Sequence, residues 1–287
     1  MPLLPRAIAA AFRHACAVEI AALKPGNVHV HAAGHGMTAD DFHRSAAVAA
    51  APLCRTGASL GARVLAAVAA TRAAVGQNTN LGILLLAAPL AMAAEATGVP
   101  LRPALLRVLA AAGRDDAATV FRAIVLAAPG GLGDAPVHDV RAPPAVPLGV
   151  AMAAAADHDM IARQYATGFA DVFDLGVPAY ARARAGGRSE AWAAVAAYLA
   201  FLAAFPDSHV QRRHGPAAAA ALQAAAQAWP ARLAAAADPA TLAPDLLAWD
   251  AALKRQGRNH GTSADLTVAA IFAHTLAGGL RSDGADG

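Results

Sequence analysis

Along the chain, helical stretches alternate with breaks that carry glycine and proline, and alternation with a period of two never persists. The pattern predicts helices over 5–23, 39–51, 61–74, 81–97, 105–112, 117–127, 148–175, 189–205, 216–228, 242–254 and 262–280. Thr38 is placed to N-cap the second of them, with Asp40 and Asp41 in its first turn. Pro89 marks a kink or a restart within 81–97. Residues 129–147 form the most irregular stretch and read as a connector or a lid. The expected architecture is all-α, about ten helices in one compact domain over 1–280 with a disordered tail at 281–287. Loops between the helices form the active site.

Composition sharpens this. Of 287 residues, 57% are apolar and 15% charged, which excludes a disordered chain. Alanine is about 30% of the sequence, far above ordinary usage, and it favours helix over strand. The net charge is +3, the basic residues are dispersed, and no nucleic-acid partner is expected. Cys16 and Cys54 make neither a disulfide framework nor a metal-type pair, so a reducing cytoplasm is the expected location. The N-terminal apolar run is short and broken by Arg13 and His14, unlike a signal peptide. No membrane span is expected.

Against the alanine background the rare polar residues stand out. Lysine occurs only at positions 24 and 254, glutamate only at 19, 95 and 190, and asparagine only at 27, 78, 80 and 259. Both lysines and all four asparagines fall at helix ends or in the loops 24–28, 76–82 and 259–265. Asparagine favours such places for local reasons, but several loops of like character suggest one shared cavity. The loop 206–215 has the same character. There Arg212 and Arg213, with His209 or His214, precede a helix starting at Pro216 and would suit a polyphosphate; a solvated basic turn is the plain alternative. Thr262 and Asp265 have capping-box spacing. Alternatively, 261–263 offer N–H and hydroxyl groups to phosphate, with Asp265 as a magnesium ligand or a base. His29, His31, His35 and His43 have no accompanying cysteine or glutamate, so a zinc-type site is not favoured. There is no Walker A loop, and Gly130-Gly131-Leu132-Gly133 alone is a weak signal.

At these loops the sequence resembles the triphosphoribosyl-dephospho-CoA synthases, which serve the prosthetic group of citrate lyase and malonate decarboxylase. The resemblance rests on Lys24-Pro25-Gly26, Gly34-His35, Met37, the run Asp41-Phe42-His43-Arg44-Ser45, Asn78-Thr79, the stretch from Asp207-Ser208-His209 to Gly215, and Gly261 through Leu266. It has departures. Gly36 stands where lyase-type members carry an acid, His29 stands where another acid is found, and Asn80-Leu81-Gly82 replaces a His-basic-Gly tail. The pattern is closer to a sibling branch associated with archaea and methylotrophic bacteria.

The resemblance implies an all-helical transferase that moves the 5-triphosphoribosyl group of ATP to an alcohol, the 2′-hydroxyl of dephospho-CoA or a related acceptor, and releases adenine. Positive charge grows on the sugar as the N-glycosidic bond breaks, so carboxylates are needed. Asp207 and Asp265 are the candidates for base and for magnesium ligand. Lys24, Arg212 and Arg213 with Mg2+ would clamp the triphosphate. Asn27, Asn78 and Asn80, with Thr79, would orient ribose or adenine, Thr262 and Ser263 would meet phosphate, and His35 or His209 would protonate adenine. A homodimer is the candidate assembly. The alternatives are an N-glycoside hydrolase, ribosyl transfer in one-carbon (tetrahydromethanopterin) cofactor biosynthesis, and a non-catalytic helical nucleotide-binding protein.

Overall fold

The computed structural model describes residues 3–282, and no β-strand occurs among them. The helices are α1 (Pro5–Ala21), α2 (Ala39–Leu53), α3 (Leu60–Val75), α4 (Leu81–Ala94), α5 (Leu101–Ala111), α6 (Arg114–Ala127), α7 (Leu148–Ala155), α8 (Met160–Thr167), α9 (Val177–Ala185), α10 (Glu190–Ala204), α11 (Ser208–His214), α12 (Pro216–Ala226), α13 (Trp229–Ala235), α14 (Ala243–Arg255) and α15 (Gly261–Ser282). A π-helical turn, Val172–Gly176, precedes α9, and a 3-10 turn, Pro239–Leu242, precedes α14.

Two helices form the axis of the core. α4 is apolar on every side, with Leu84, Leu86, Ala87, Ala88 and Leu90 fully enclosed, as expected for a helix with no solvent face. α15 packs against α4 and also against α1, α9 and α10. It contributes Val268, Ile271 and Phe272, and the Phe272 ring meets Phe12 of α1 edge-on at 5.9 Å. The first turns of α4 and α15 lie side by side, which sets the position of the site.

The structure adds helices to the expected set. The segment 148–175 is not one helix: it breaks at Ala156, and Asp159 caps a fresh start by accepting Ile161 and Ala162 N–H groups. Helices α9 and α13 were not expected, because their short alanine–arginine runs carry weak periodicity. The expected loop at 206–215 is largely helix α11. α4 continues through Pro89 without a break, and stops at Ala94 rather than 97. The tail expected from 281 begins inside α15, which runs to Ser282; residues 283–287 lie outside the described residues. Thr38 and Asp41 do start α2, Asp41 accepting the Thr38 N–H at 2.8 Å.

Among the described residues no single helix is long and apolar enough to cross a membrane. α10 and α11 pass together only as a pair bent by 50°, and the apolar side chains of α10 fill the core.

Gly176 shows how close the packing is. A Cβ there would lie 2.7 Å from Phe201 Cε2 of α10 and 2.8 Å from Ala270 Cβ of α15. Gly176→Ala is expected to cost about 1–3 kcal/mol by overpacking, read as a lower midpoint in urea with an unchanged slope.

Candidate active site

The loop leaving α1 is the hub. Gly26 adopts φ +81°, and a Cβ on it would lie 2.9 Å from His260 Cε1 and 3.1 Å from the Arg258 carbonyl, so only glycine fits. Distant segments hold this turn by its backbone. Tyr198 of α10 donates its hydroxyl to the Pro25 carbonyl at 2.7 Å, and His260 Nδ1 donates to the same oxygen at 3.1 Å. Asp250 Oδ1 of α14 accepts the Gly26 N–H at 2.8 Å. His35 Nε2 donates to the Gly26 carbonyl at 3.0 Å.

His35 is itself in a tight turn. Gly34 and Met37 exchange both backbone hydrogen bonds, at 3.1 and 2.9 Å. His35 and Gly36 between them have φ +56° and +75°, as in a type I′ turn. Glycine meets the second of these angles without strain. A carbonyl can only accept, so His35 at the Gly26 carbonyl and His260 at the Pro25 carbonyl have fixed tautomers. His35 keeps its lone pair on Nδ1 and His260 keeps it on Nε2. His260 Nε2 is buried without a partner. Burial pushes both imidazoles below their ordinary range, so both are neutral at pH 7. His209 is pushed down to about 4, by burial first and by the nearby Arg212 and Arg213 charges. Its Nε2 is also buried and unpartnered.

The loop 24–37 is pinned from outside by α14. Lys254 Nζ reaches the Ala32 carbonyl at 3.0 Å and Asp250 Oδ2 at 2.9 Å. His29 Nε2 lies 3.4 Å from the same Asp250 oxygen, an electrostatic contact too long for a good hydrogen bond. Burial alone would raise Asp250, but His29, Lys254 and the Gly26 N–H hold it below the usual carboxylate range.

Three of the expected loops converge. Asn27 Nδ2 donates to Asn259 Oδ1 at 2.9 Å, and Asn27 Oδ1 accepts from Lys24 Nζ at 2.9 Å. Lys24, fully buried, also pairs with buried Glu19. Burial pushes Lys24 down and Glu19 up, against their mutual attraction. Asp207 joins the other two loops. Its Oδ1 accepts the His209 and Val210 N–H groups at 2.9 and 3.2 Å, and its Oδ2 accepts Ser263 N–H and Oγ–H, both at 2.8 Å. Asp207 thus caps α11 and α15 at once, and four donors fill both oxygens.

That arrangement alters two sequence expectations. Thr262 does not cap α15 with Asp265; its Oγ1 accepts the His209 N–H at 3.2 Å. Arg212 and Arg213 do precede a helix that starts at Pro216, α12, but they lie in the last turn of α11 rather than in a loop, where cations complement the helix dipole. Arg212 Nη1 is paired with Asp159 Oδ2 at 2.6 Å. The turn at Gly130–Gly131 lies along them, with the Gly131 Cβ position 3.3 Å from Arg212 Cβ and Arg213 Cγ.

The fourth loop joins helices. Asn78 Oδ1 accepts the Leu81 N–H at 3.1 Å, Thr79 Oγ1 meets Ser45 Oγ at 2.6 Å, and Asn80 Nδ2 donates to Thr71 Oγ1 at 3.1 Å. Its contribution to the site comes through Gly82, against which Asp265 packs.

Asp265 is unlike the other acids. It is half-buried, and its carboxyl makes no hydrogen bond or ion pair with any described residue. Burial, then the Glu19 and Asp207 charges, raise its pKa well above the ordinary value, against Arg212 and Lys24. A Cβ on Gly82 would overlap Asp265 Oδ2 and lie 2.6 Å from its Cγ. Gly82→Ala should therefore move the carboxyl without disturbing the backbone. A displacement of about 1 Å costs roughly 100-fold in rate, so we expect that loss in turnover at a nearly unchanged melting temperature.

Among the described residues no three histidine, cysteine or acidic side chains are placed to hold a metal ion. With Asp207 saturated, Asp265 is the single free carboxylate beside the loops among the described residues. That does not fit a protein-built metal cage. It is compatible with a Mg2+ held mainly by phosphate oxygens and water, the usual habit of that ion. A separate groove of about 360 Å3, lined by Ser59, Leu60, Met92, Arg107, Val108 and Asp116 among others, lies at the Ser59 end of α3, a helix length of about 24 Å from the Asn78–Gly82 joint.

Glu19, Tyr198, Asp250, Arg258 and His260 were not singled out from the sequence. Glu19 carried a signal as one of three glutamates, and His260 lies inside the marked loop 259–265.

The family model described as ATP:dephospho-CoA triphosphoribosyl transferase matches residues 5–283. A crystal structure assigned as a triphosphoribosyl-dephospho-CoA synthase from Archaeoglobus fulgidus superposes with a TM-score of 0.62 at 25% identity, covering 82% of this chain and 98% of that one. No curated protein matches the chain.

Proposed function

The chain belongs to the ATP:dephospho-CoA triphosphoribosyl transferase family, and from that premise we propose that Asp265 is the proton-handling residue of its reaction. The enzyme is a pentosyltransferase that moves the triphosphoribosyl group of ATP to dephospho-CoA. In that reaction the bond between ribose C1′ and adenine N9 breaks, and a bond between C1′ and the acceptor oxygen forms. The acceptor hydroxyl loses one proton and adenine gains one, so the enzyme ends unchanged.

One carboxyl able to take a proton and pass it on meets this need. Asp265 is the acid whose oxygens are free, and its raised pKa lets it hold a proton that an ordinary exposed aspartate would lose. Asp207 acts indirectly, by fixing α11 against α15. His35 and His209, neutral at pH 7, hydrogen-bond adenine rather than store a proton for it. Mg2+ would be held mainly by the triphosphate, whose charge it would screen. Lys24 and Asn27 support the turn that carries these groups.

The observation that carries this reading is the unpartnered, half-buried carboxyl of Asp265 beside two filled ones. The test mixes protein, ATP, Mg2+ and dephospho-CoA and follows free adenine against the ribosylated product. One adenine per product is expected. Adenine release at an equal rate without acceptor would make the protein a hydrolase, and no adenine with any alcohol tried would refute glycosyl transfer.

A further inference from the structure

Nothing in ribosyl transfer requires three phosphates on the 5′-oxygen, since AMP and ADP carry the same glycosidic bond. An enzyme that delivers a triphosphoribosyl group must read the phosphate chain with groups remote from C1′. Of the cations suggested for this by sequence, Lys24 is enclosed with Glu19 and Asn27, Arg212 is paired with Asp159, and Arg213 alone is left.

Two arginines near the site are unused. Arg213 is exposed and makes no ion pair or side-chain hydrogen bond with the described residues. Arg258, half-buried, likewise has none, and its Nε is buried with no partner at all. A buried guanidinium N–H without an acceptor is costly unless a ligand supplies one. The two positions are brought together by their chain neighbours, His214 Nε2 lying 3.2 Å from the Gly257 carbonyl. They also border one cluster of imidazoles, in which His35 lies near both His209 and His260. Arg213 lowers His35 and His209, and Arg258 lowers His260. The carbonyl of Arg258 packs on Gly26, at the hub of the site.

We propose that Arg258, with Arg213, forms the phosphate-reading subsite that makes the enzyme select a nucleoside triphosphate over a diphosphate or monophosphate. The inference rests on the transfer reaction above and names a specificity determinant within it. Arginine forks bind phosphate oxygens in pairs, and two at the end of one chain distinguish its terminal group from a shorter chain.

The test compares ATP with ADP in wild type, Arg258→Gln and Arg213→Gln, with the surface variant Arg232→Gln as control. Arg258→Gln is expected to lower kcat/KM for ATP by about 10- to 100-fold, mostly through KM, and to lower it less for ADP, so that the preference collapses. Arg258→Lys should recover part of it. A structural role alone would lower both substrates together, and an unchanged ATP to ADP ratio in Arg258→Gln overturns the proposal. Calorimetric binding of inorganic tripolyphosphate needs no turnover. Weaker binding by Arg258→Gln than by wild type supports the subsite even if no adenine is ever released, whereas equal binding overturns it. If Arg258→Gln does not fold, Arg213→Gln carries the same expectations.

Discussion

Asp265→Asn is expected to reduce triphosphoribosyl transfer by about 1,000-fold, the usual scale for losing a general acid or base, and to raise the melting temperature at neutral pH. The two effects have one cause. The carboxyl sits half-buried beside Glu19 and Asp207 with no donor of its own, and its pKa is raised for that reason. A carboxyl whose folded pKa lies above its unfolded one contributes stability that is complete below the unfolded value, about 3.9, and is lost as pH rises through the folded value. At pH 7 the site is therefore under electrostatic strain, and an amide of the same shape relieves it. The stabilisation should vanish below about pH 4, where the native acid is protonated in both states. Turnover in Asp265→Asn within a few-fold of wild type would remove the residue from the mechanism. A variant that is dead but also destabilised at pH 7 would mean that the carboxyl is part of the scaffold.

The largest stability effect is expected at Lys24. Replacing it with methionine leaves Glu19 enclosed without its cation and Asn27 Oδ1 without its donor. Breaking one side of a buried pair costs about 3–5 kcal/mol. Removing both sides, in Glu19→Leu with Lys24→Met, should restore most of that loss, because two apolar groups leave no charge unsatisfied. The single variant should also regain stability as pH falls. Glu19, already raised by burial, takes up a proton as pH falls through its raised folded value, so the deficit is greatest above that value, shrinks as pH falls from it, and is gone below the unfolded glutamate value of about 4.3. Urea unfolding of the three proteins at two pH values measures this. The double variant separates support from contact: if it folds and keeps the KM for ATP, Lys24 holds the turn and does not touch phosphate.

The helical class and the convergence of loops were legible because they depend on local facts. Alanine periodicity fixes helices, and an asparagine or lysine in an alanine-rich chain marks a place where a polar atom is needed. Asn27 and Asn259 do meet. What the sequence does not carry is which oxygens are already filled. Asp207 and Asp265 read alike as acids in loops. Only the fold shows four donors on one and none on the other, since the donors on Asp207 come from segments over fifty residues apart. Asp250 and His260 were missed for a related reason. Each works through the backbone of a turn far away in sequence, and an acid inside an amphipathic helix looks like surface. The loop 206–215 was misread because its helix, α11, has only seven residues, held by a cap rather than by periodicity.

Asp265 stands near the start of α15, and the rest of that helix is the axis of the core. The reactive group is thus anchored to the part of the molecule that opens last. Amide protons of Val268 through Phe272 should exchange only through global unfolding, and the reacting geometry should persist until that event. Heating should then show no temperature window in which the protein remains folded but has lost its activity. Inactivation and cooperative unfolding should trace a single curve, so a simple activity assay after graded heating would report the stability of the whole fold.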